Sequence, residues 1–303
     1  MSIEVENITK KYGSQLALKN ISFKIKSGEI LGFIGPNGAG KSTMMKIICG
    51  IISPDHGSVK VNGFDVIENS IKVKRKIGYL PETNPLYNDL FIREYLKHIA
   101  GLYKLGRNSA SRIDETIKLI GLDDEINKKI GQLSKGFRQR VGLAQVILHN
   151  PDVLILDEPT SGLDPNQIID IRSLISEMGK EKTVMLSTHI IQEVEAICDR
   201  VLIINKGEIV ADDKAKNLQS YGKNTSCTIL VEFNELFDKN KLSKIPGVEK
   251  IKTTNNRNWL IQTKNNKDLR PEIFRFAVDN NLTVLSLQKK DKTLEDVFRE
   301  LTK

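Results

Sequence analysis

Gly35-Pro36-Asn37-Gly38-Ala39-Gly40-Lys41-Ser42-Thr43 follows the apolar run Ile30-Leu31-Gly32-Phe33-Ile34 and precedes a stretch of helical pattern that begins near Lys41. Strand, Gly-rich loop and helix in that order make a phosphate-binding loop. Its glycines let successive backbone N–H groups turn inward toward phosphate oxygens. The helix that follows adds the positive end of its dipole. Lys41 then supplies a mobile positive charge for the β- and γ-phosphates, the Ser42 hydroxyl is placed to ligate Mg²⁺, and Thr43 can add a hydroxyl to a phosphate oxygen. Alone, the loop predicts a nucleoside triphosphate and leaves the reaction open.

The chain has 303 residues, which suits about two domains and a sizeable core. No stretch approaches the ~18 consecutive apolar residues of a membrane span. The start, Met1-Ser2-Ile3-Glu4-Val5-Glu6, lacks the apolar centre of a signal peptide, so a cytosolic chain is expected. Cys49, Cys198 and Cys227 lie far apart in apolar or helical patterns and suit reduced packing thiols. The formal net charge of +8 comes from basic residues spread without an aromatic-interleaved patch, so no nucleic-acid partner is expected.

Alternation at Ile3-Glu4-Val5-Glu6-Asn7-Ile8 and Ile21-Ser22-Phe23-Lys24-Ile25 predicts half-buried strands, with Ser58-Val59-Lys60-Val61 as another. From about 90 to 150 the period becomes helical: Leu96, Ile99, Ala100 and Tyr103, then Ile113, Ile117 and Ile120, then Val141, Ala144, Gln145 and Leu148. Val153-Leu154-Ile155-Leu156 is a short continuous apolar run, as in a parallel strand covered on both faces. Strand and helix candidates then alternate at 183–187, 190–197 and 201–204.

A polar stretch at 219–226 is the predicted linker, which divides a domain at 1–222 from another at 223–303. The second reads β, α, β, β, α, β with a closing helix, the order of a ferredoxin-like α+β unit. Trp259 falls in one of its alternating strands and is expected in the core.

Asp157-Glu158 directly follows the apolar run at 153–156, which places two carboxylates at a strand end beside the phosphate loop. Asp157 suits Mg²⁺ binding through its water shell, and Glu158 suits polarising a water for attack on the γ-phosphate. Asp164, just ahead of Pro165, is equally suited to cap the next helix.

Beyond these residues the chain resembles the ATP-binding subunits of ABC transporters. Leu133-Ser134-Lys135-Gly136-Phe137-Arg138-Gln139-Arg140 is similar to that family's signature segment, Ser161-Gly162-Leu163-Asp164 to its D-loop, and Ser187-Thr188-His189 to its switch-histidine strand end. Tyr12 lies where the family stacks an aromatic ring on adenine. The resemblance implies a P-loop NTPase fold with an N-terminal antiparallel β subdomain, a helical subdomain and a C-terminal α+β extension. It implies ATP and Mg²⁺ as ligands, His189 at the γ-phosphate, Asp164 as a nucleotide-binding residue, and Ser134 and Gly136 at the nucleotide of a second copy in an ATP-bound homodimer. It also implies an integral membrane permease as partner and a place on the cytoplasmic face of the inner membrane.

Two positions depart from the common pattern. The signature carries Lys135 and Phe137 around the retained Ser134 and Gly136, and Glu82 stands where most relatives have Gln, which suggests a third Mg²⁺ ligand coupled to the permease. Leu80-Pro81-Glu82-Thr83-Asn84-Pro85-Leu86-Tyr87 and the ending Leu294-Glu295-Asp296-Val297-Phe298 resemble ABC-2 exporter ATPases, most of all the gliding-motility GldA type. The alternative is an exporter of drugs, antibiotic peptides or polysaccharides. A two-cassette translation protein would need a second phosphate loop, a kinase would lack 133–140, and a binding-only module would lack Glu158 or His189.

Overall fold

β1 (Ile3–Tyr12) and β2 (Gln15–Ile25) form a hairpin in which Ile3, Val5, Ile8, Leu18, Ile21, Phe23 and Ile25 turn to one buried face. The computed structural model describes residues 1–218, 228–235, 239–243, 245–253, 257–263, 267–290 and 294–302. The predicted linker at 219–226 and Cys227 lie outside them.

β3 (Ile30–Ile34) leads through the phosphate loop into α1 (Lys41–Ile48), and β4 (His56–Val61) and β5 (Phe64–Asp65) return to the hairpin. The resulting antiparallel sheet has the order β2-β1-β4-β5. α2 (Ser70–Lys76) then precedes β6 (Ile77–Leu80), and three helices follow: α3 (Ile92–Leu102), α4 (Ser109–Ile120) and α5 (Lys135–Ile147). Their buried positions include Leu96, Ile99, Ile113, Ile117, Ile120, Val141 and Ala144, the ones that the helical period selects.

The second sheet is completed by β7 (Val153–Asp157), α6 (Pro165–Gly179), β8 (Thr183–Thr188), α7 (Ile191–Ile197), β9 (Arg200–Asn205) and β10 (Glu208–Lys214). Its order is β10-β9-β3-β8-β7-β6, parallel except for the edge strand β10. Every residue of β3 and β7 is buried, which is why both read as continuous apolar runs. Phe23, Phe33, Met44, Ile48 and Leu202 belong to one core shared by both sheets and α1.

Met1–Ala215, with Thr302, makes one compact unit and Lys216–Leu301 another, a division that falls ahead of the polar stretch chosen from sequence. α8 (Ala215–Leu218) crosses this division. The second unit runs β11 (Thr228–Phe233), α9 (Lys239–Leu242), β12 (Val248–Thr253), β13 (Asn258–Thr263), α10 (Arg270–Asp279), β14 (Val284–Lys290) and α11 (Leu294–Leu301). Its sheet is antiparallel with the order β12-β13-β11-β14, the ferredoxin-like arrangement. Trp259 is 1% exposed there, packed with Phe233, Val231 and Ile261.

Cys49 and Cys198 are buried and free. His56 and His98 face solvent, whereas His149 is half-buried. The His149 ring stacks on Tyr103 with centroids 3.8 Å apart and an interplanar angle of 9°, and Nε2 donates to Ile77 O at 3.1 Å. Burial, helped by the nearby positive charges of Lys182 and Arg112, pushes its pKa down from 6.5 to about 4. The unfolded chain therefore takes up a proton that the folded chain refuses, so this contribution to stability is full above pH 6.5 and is lost as pH falls toward 4. In His149→Phe, which keeps the stacking, Tm should fall less steeply across that window than in wild type. Identical slopes would show that His149 contributes nothing to it.

Candidate functional site

The carboxyl ends of β3, β7 and β8 lie side by side, and each delivers one part of the site. From β3 comes the phosphate loop. A Cβ on Gly35 would stand 2.3 Å from Ile204 O, and Gly40, with φ of 113°, would place one 2.7 Å from Ala17 O. Neither position admits a side chain, and Gly40 turns the backbone directly into α1. Lys41, 7% exposed, folds over the loop, and its Nζ donates to Gly35 O at 2.8 Å. Burial pushes its pKa below the usual lysine range, while the carboxylates of Glu158, Asp157 and Glu82 pull the other way. All three acids are therefore within electrostatic reach of the one ammonium.

From β7 come Asp157 and Glu158. Asp157 is 2% exposed, and its Oδ1 accepts the Ser187 hydroxyl at 2.5 Å. Glu158 departs from the strand with φ of 49°, a conformation that costs a non-glycine residue on the order of 1–3 kcal/mol. Its N–H pays for the turn by donating to Ser187 Oγ at 3.1 Å and Ser187 O at 3.2 Å. The turn aims the carboxylate at Lys41, whose Nζ is 4.0 Å from Oε1. From β8 comes His189, whose Nδ1 lies 2.8 Å from Glu158 Oε2. The His189 side chain is 56% exposed, so it covers the buried carboxylate from the solvent side.

Lys41, Glu158 and His189 line a cleft of about 640 Å³ with Tyr12, Asn37, Gly38, Gly40, Ser42, Thr43 and Glu82. That volume is within the range of small-ligand sites. Tyr12, half exposed at the end of β1, offers its ring as one wall. The oxygens of Ser42, Glu82 and Asp157 are hard donors of the kind that Mg²⁺ takes, and they fit that ion. Among the described residues no group of three or more His, Cys, Asp or Glu is placed to hold a metal.

Of the expected residues, Gly35, Pro36, Ala39 and Asp157 do not line the cleft, and three more lie on other segments. Asp164 caps α6, its Oδ1 accepting the Gln167 N–H at 2.9 Å. Ser134 caps α5, its Oγ accepting the Phe137 N–H at 3.3 Å, and Gly136 is buried against Gln167. None of these three lines the cleft. Gln15, Ala17 and Ser161 line it unforeseen. Tyr12 and Gln15 are paired across the first hairpin, so the aromatic position was itself the available signal for Gln15.

Residues 18–161 match the family described as "ABC transporter", and 219–302 match "ATP-binding protein DrrA1-3-like, C-terminal domain". The uncharacterized ABC transporter ATP-binding protein YdbJ of Bacillus subtilis is 37% identical over 99% of this chain and 95% of its own length. The chain belongs to the ABC transporter ATP-binding proteins. Within this family it is also similar to the bacitracin transport ATP-binding protein BcrA of Bacillus licheniformis, at 32% identity over 99% of this chain and 96% of that protein. The linearmycin resistance ATP-binding protein LnrL of B. subtilis is 33% identical over 99% and 98%. Among solved structures, a dimeric ATP-binding cassette bound to ADP and Pi is 30% identical, covers 70% of this chain and 98% of its own, and superposes with a TM-score of 0.64. This ABC protein is an ABC-type ATPase with an ATP-binding cassette. None of its described helices is long and apolar enough to cross a membrane.

Proposed function

We propose that this ABC ATPase powers an ABC-2 type exporter of drugs or antibiotic peptides through a separate integral membrane permease, acting from the cytoplasmic face. The convergence of Lys41, Glu158 and His189 on one cleft carries the hydrolytic part of this reading. Full-length similarity to the bacitracin and linearmycin proteins supports the exporter part and favours it over the gliding-motility and polysaccharide alternatives.

ATP rests its adenine on Tyr12, and N–H groups of the phosphate loop and of the start of α1 face its phosphates. Lys41 gives up Gly35 O and pairs with the β- and γ-phosphates. Ser42, Asp157 and Glu82 would hold Mg²⁺, which would neutralise phosphate charge. Glu158 accepts the proton of the attacking water, while His189, held at Nδ1 by Glu158, directs its other ring nitrogen outward toward the γ-phosphate.

Ser134 caps α5 at an exposed position, outside the chain's own cleft, at the positive end of the helix dipole. That position supports a homodimer in which Ser134, Gly136 and the D-loop of one copy complete the ATP site of the other. Binding closes the dimer and hydrolysis reopens it, and the segment after Glu82 passes the movement to the permease.

The partner is testable in native membranes. Crosslinking followed by purification through a tag on this chain should recover an integral membrane permease, and disruption of the gene should raise susceptibility to drugs or peptide antibiotics. Recovery of ribosomes would sink the transport reading. Loss of gliding with unchanged susceptibility would replace the exporter with the gliding complex.

A further inference from the structure

Glu193, on α7, is 1% exposed, yet both of its oxygens are used. Oε1 accepts the Thr160 hydroxyl at 2.5 Å and Oε2 accepts the Thr188 hydroxyl at 2.7 Å. The two threonines stand on segments leaving different strands. Thr160 follows β7 and precedes Ser161, which lines the cleft, while Thr188 ends β8 and precedes His189. The Thr188 oxygen also accepts the Ile190 N–H at 3.0 Å, so its proton is committed to Glu193.

These bonds close a ring. Glu158 and Thr160 share one segment, and Thr188 and His189 share the other; beyond the bonds to Ser187 where the strands end, the two are tied at the surface by His189 and Glu158 and underneath by Glu193. A buried carboxylate is a poor choice if only packing is required, because an apolar side chain avoids its desolvation. What a carboxylate adds is two directed acceptors that set the spacing of the two segments.

We propose that Glu193 is a positioning residue for ATP hydrolysis. Through Thr160 and Thr188 it fixes His189 relative to Glu158 and makes the Ser161 and His189 segments move as one body. This rests on the roles given above to Glu158 and His189. Loss of the tie leaves the phosphate loop and Tyr12 in place, so nucleotide affinity survives while the alignment of the reacting groups does not.

The test uses the full chain, with ATP turnover, ATP affinity and Tm measured together. Glu193→Gln keeps the shape but turns one acceptor into an NH₂ donor. Its kcat should fall about 10- to 100-fold, the scale of a small misplacement of reacting groups, with ATP affinity within about twofold of wild type. Thr160→Val removes only the link to the Ser161 segment, and it should lower kcat and add little further loss when combined with Glu193→Gln. Wild-type kcat in Glu193→Gln, or fully additive losses in the double variant, would overturn the proposal. If Glu193→Gln does not fold, Thr160→Val decides alone, and an unchanged kcat refutes it. Glu158→Gln is assayed in parallel. Wild-type turnover there removes the underlying roles and this proposal with them, whereas slow turnover beside a normal Glu193→Gln removes this proposal only.

Discussion

Glu158→Gln should reduce kcat about 100- to 10,000-fold, the contribution of a positioned general base, while leaving ATP binding intact. The amide is the same size and keeps an oxygen that can face His189 Nδ1, so the turn at φ of 49° and its bonds to Ser187 have no reason to change. What disappears is the ability to take a proton. It also removes a negative charge 4.0 Å from Lys41 Nζ, which lessens repulsion of the γ-phosphate. ATP should therefore bind at least as tightly, and ATP-loaded dimers should accumulate on gel filtration. Phosphate formation, measured after acid quench in single-turnover conditions, separates this outcome from slow product release. Turnover near wild type would exclude Glu158 as the base.

Lys41→Ala should damage both binding and turnover. A charge-assisted hydrogen bond is worth about 1.5–3 kcal/mol, so ATP affinity should drop roughly 10- to 100-fold. Turnover at saturating ATP should fall a further ~100- to 1,000-fold, the usual cost of removing one donor aimed at developing charge. The free protein partly offsets the loss in affinity, since Lys41 already donates to Gly35 O before any nucleotide arrives. Calorimetric titration with ATP and a steady-state ATPase assay measure the two effects. An unchanged ATP affinity would show that the loop's N–H groups hold the phosphates unaided.

Legibility tracked the strength of each local signal. The phosphate loop, β7 with its two carboxylates, and the amphipathic helices at 92–147 could be read because glycine spacing, continuous burial and the 3.6-residue period each leave a mark. β10 went unseen: it is an edge strand, Glu208–Lys214, whose burial alternates while its residue types do not, with Val210 on the exposed face and Asp213 on the inner one. Glu193 and His149 were invisible for the opposite reason. Each is a polar residue at an apparently solvated position, and only the folded chain reveals Thr160 and Thr188 around one and Tyr103 against the other. Asp164 allowed two meanings in sequence, capping residue and ligand, and within one chain the cap is formed.

Tyr12 and the phosphate loop belong to different sheets: the aromatic ring ends a strand of the antiparallel β2-β1-β4-β5 layer, while Lys41 follows a strand of the parallel one. A nucleotide with its base on the first and its phosphates on the second is a strut spanning two layers. Its binding energy then acts on their mutual orientation as well as on its own retention, so the ATP-loaded cassette melts as a stiffer object than the sum of its sheets. Shortening the strut by one phosphate slackens it at the end where Glu158 and His189 sit.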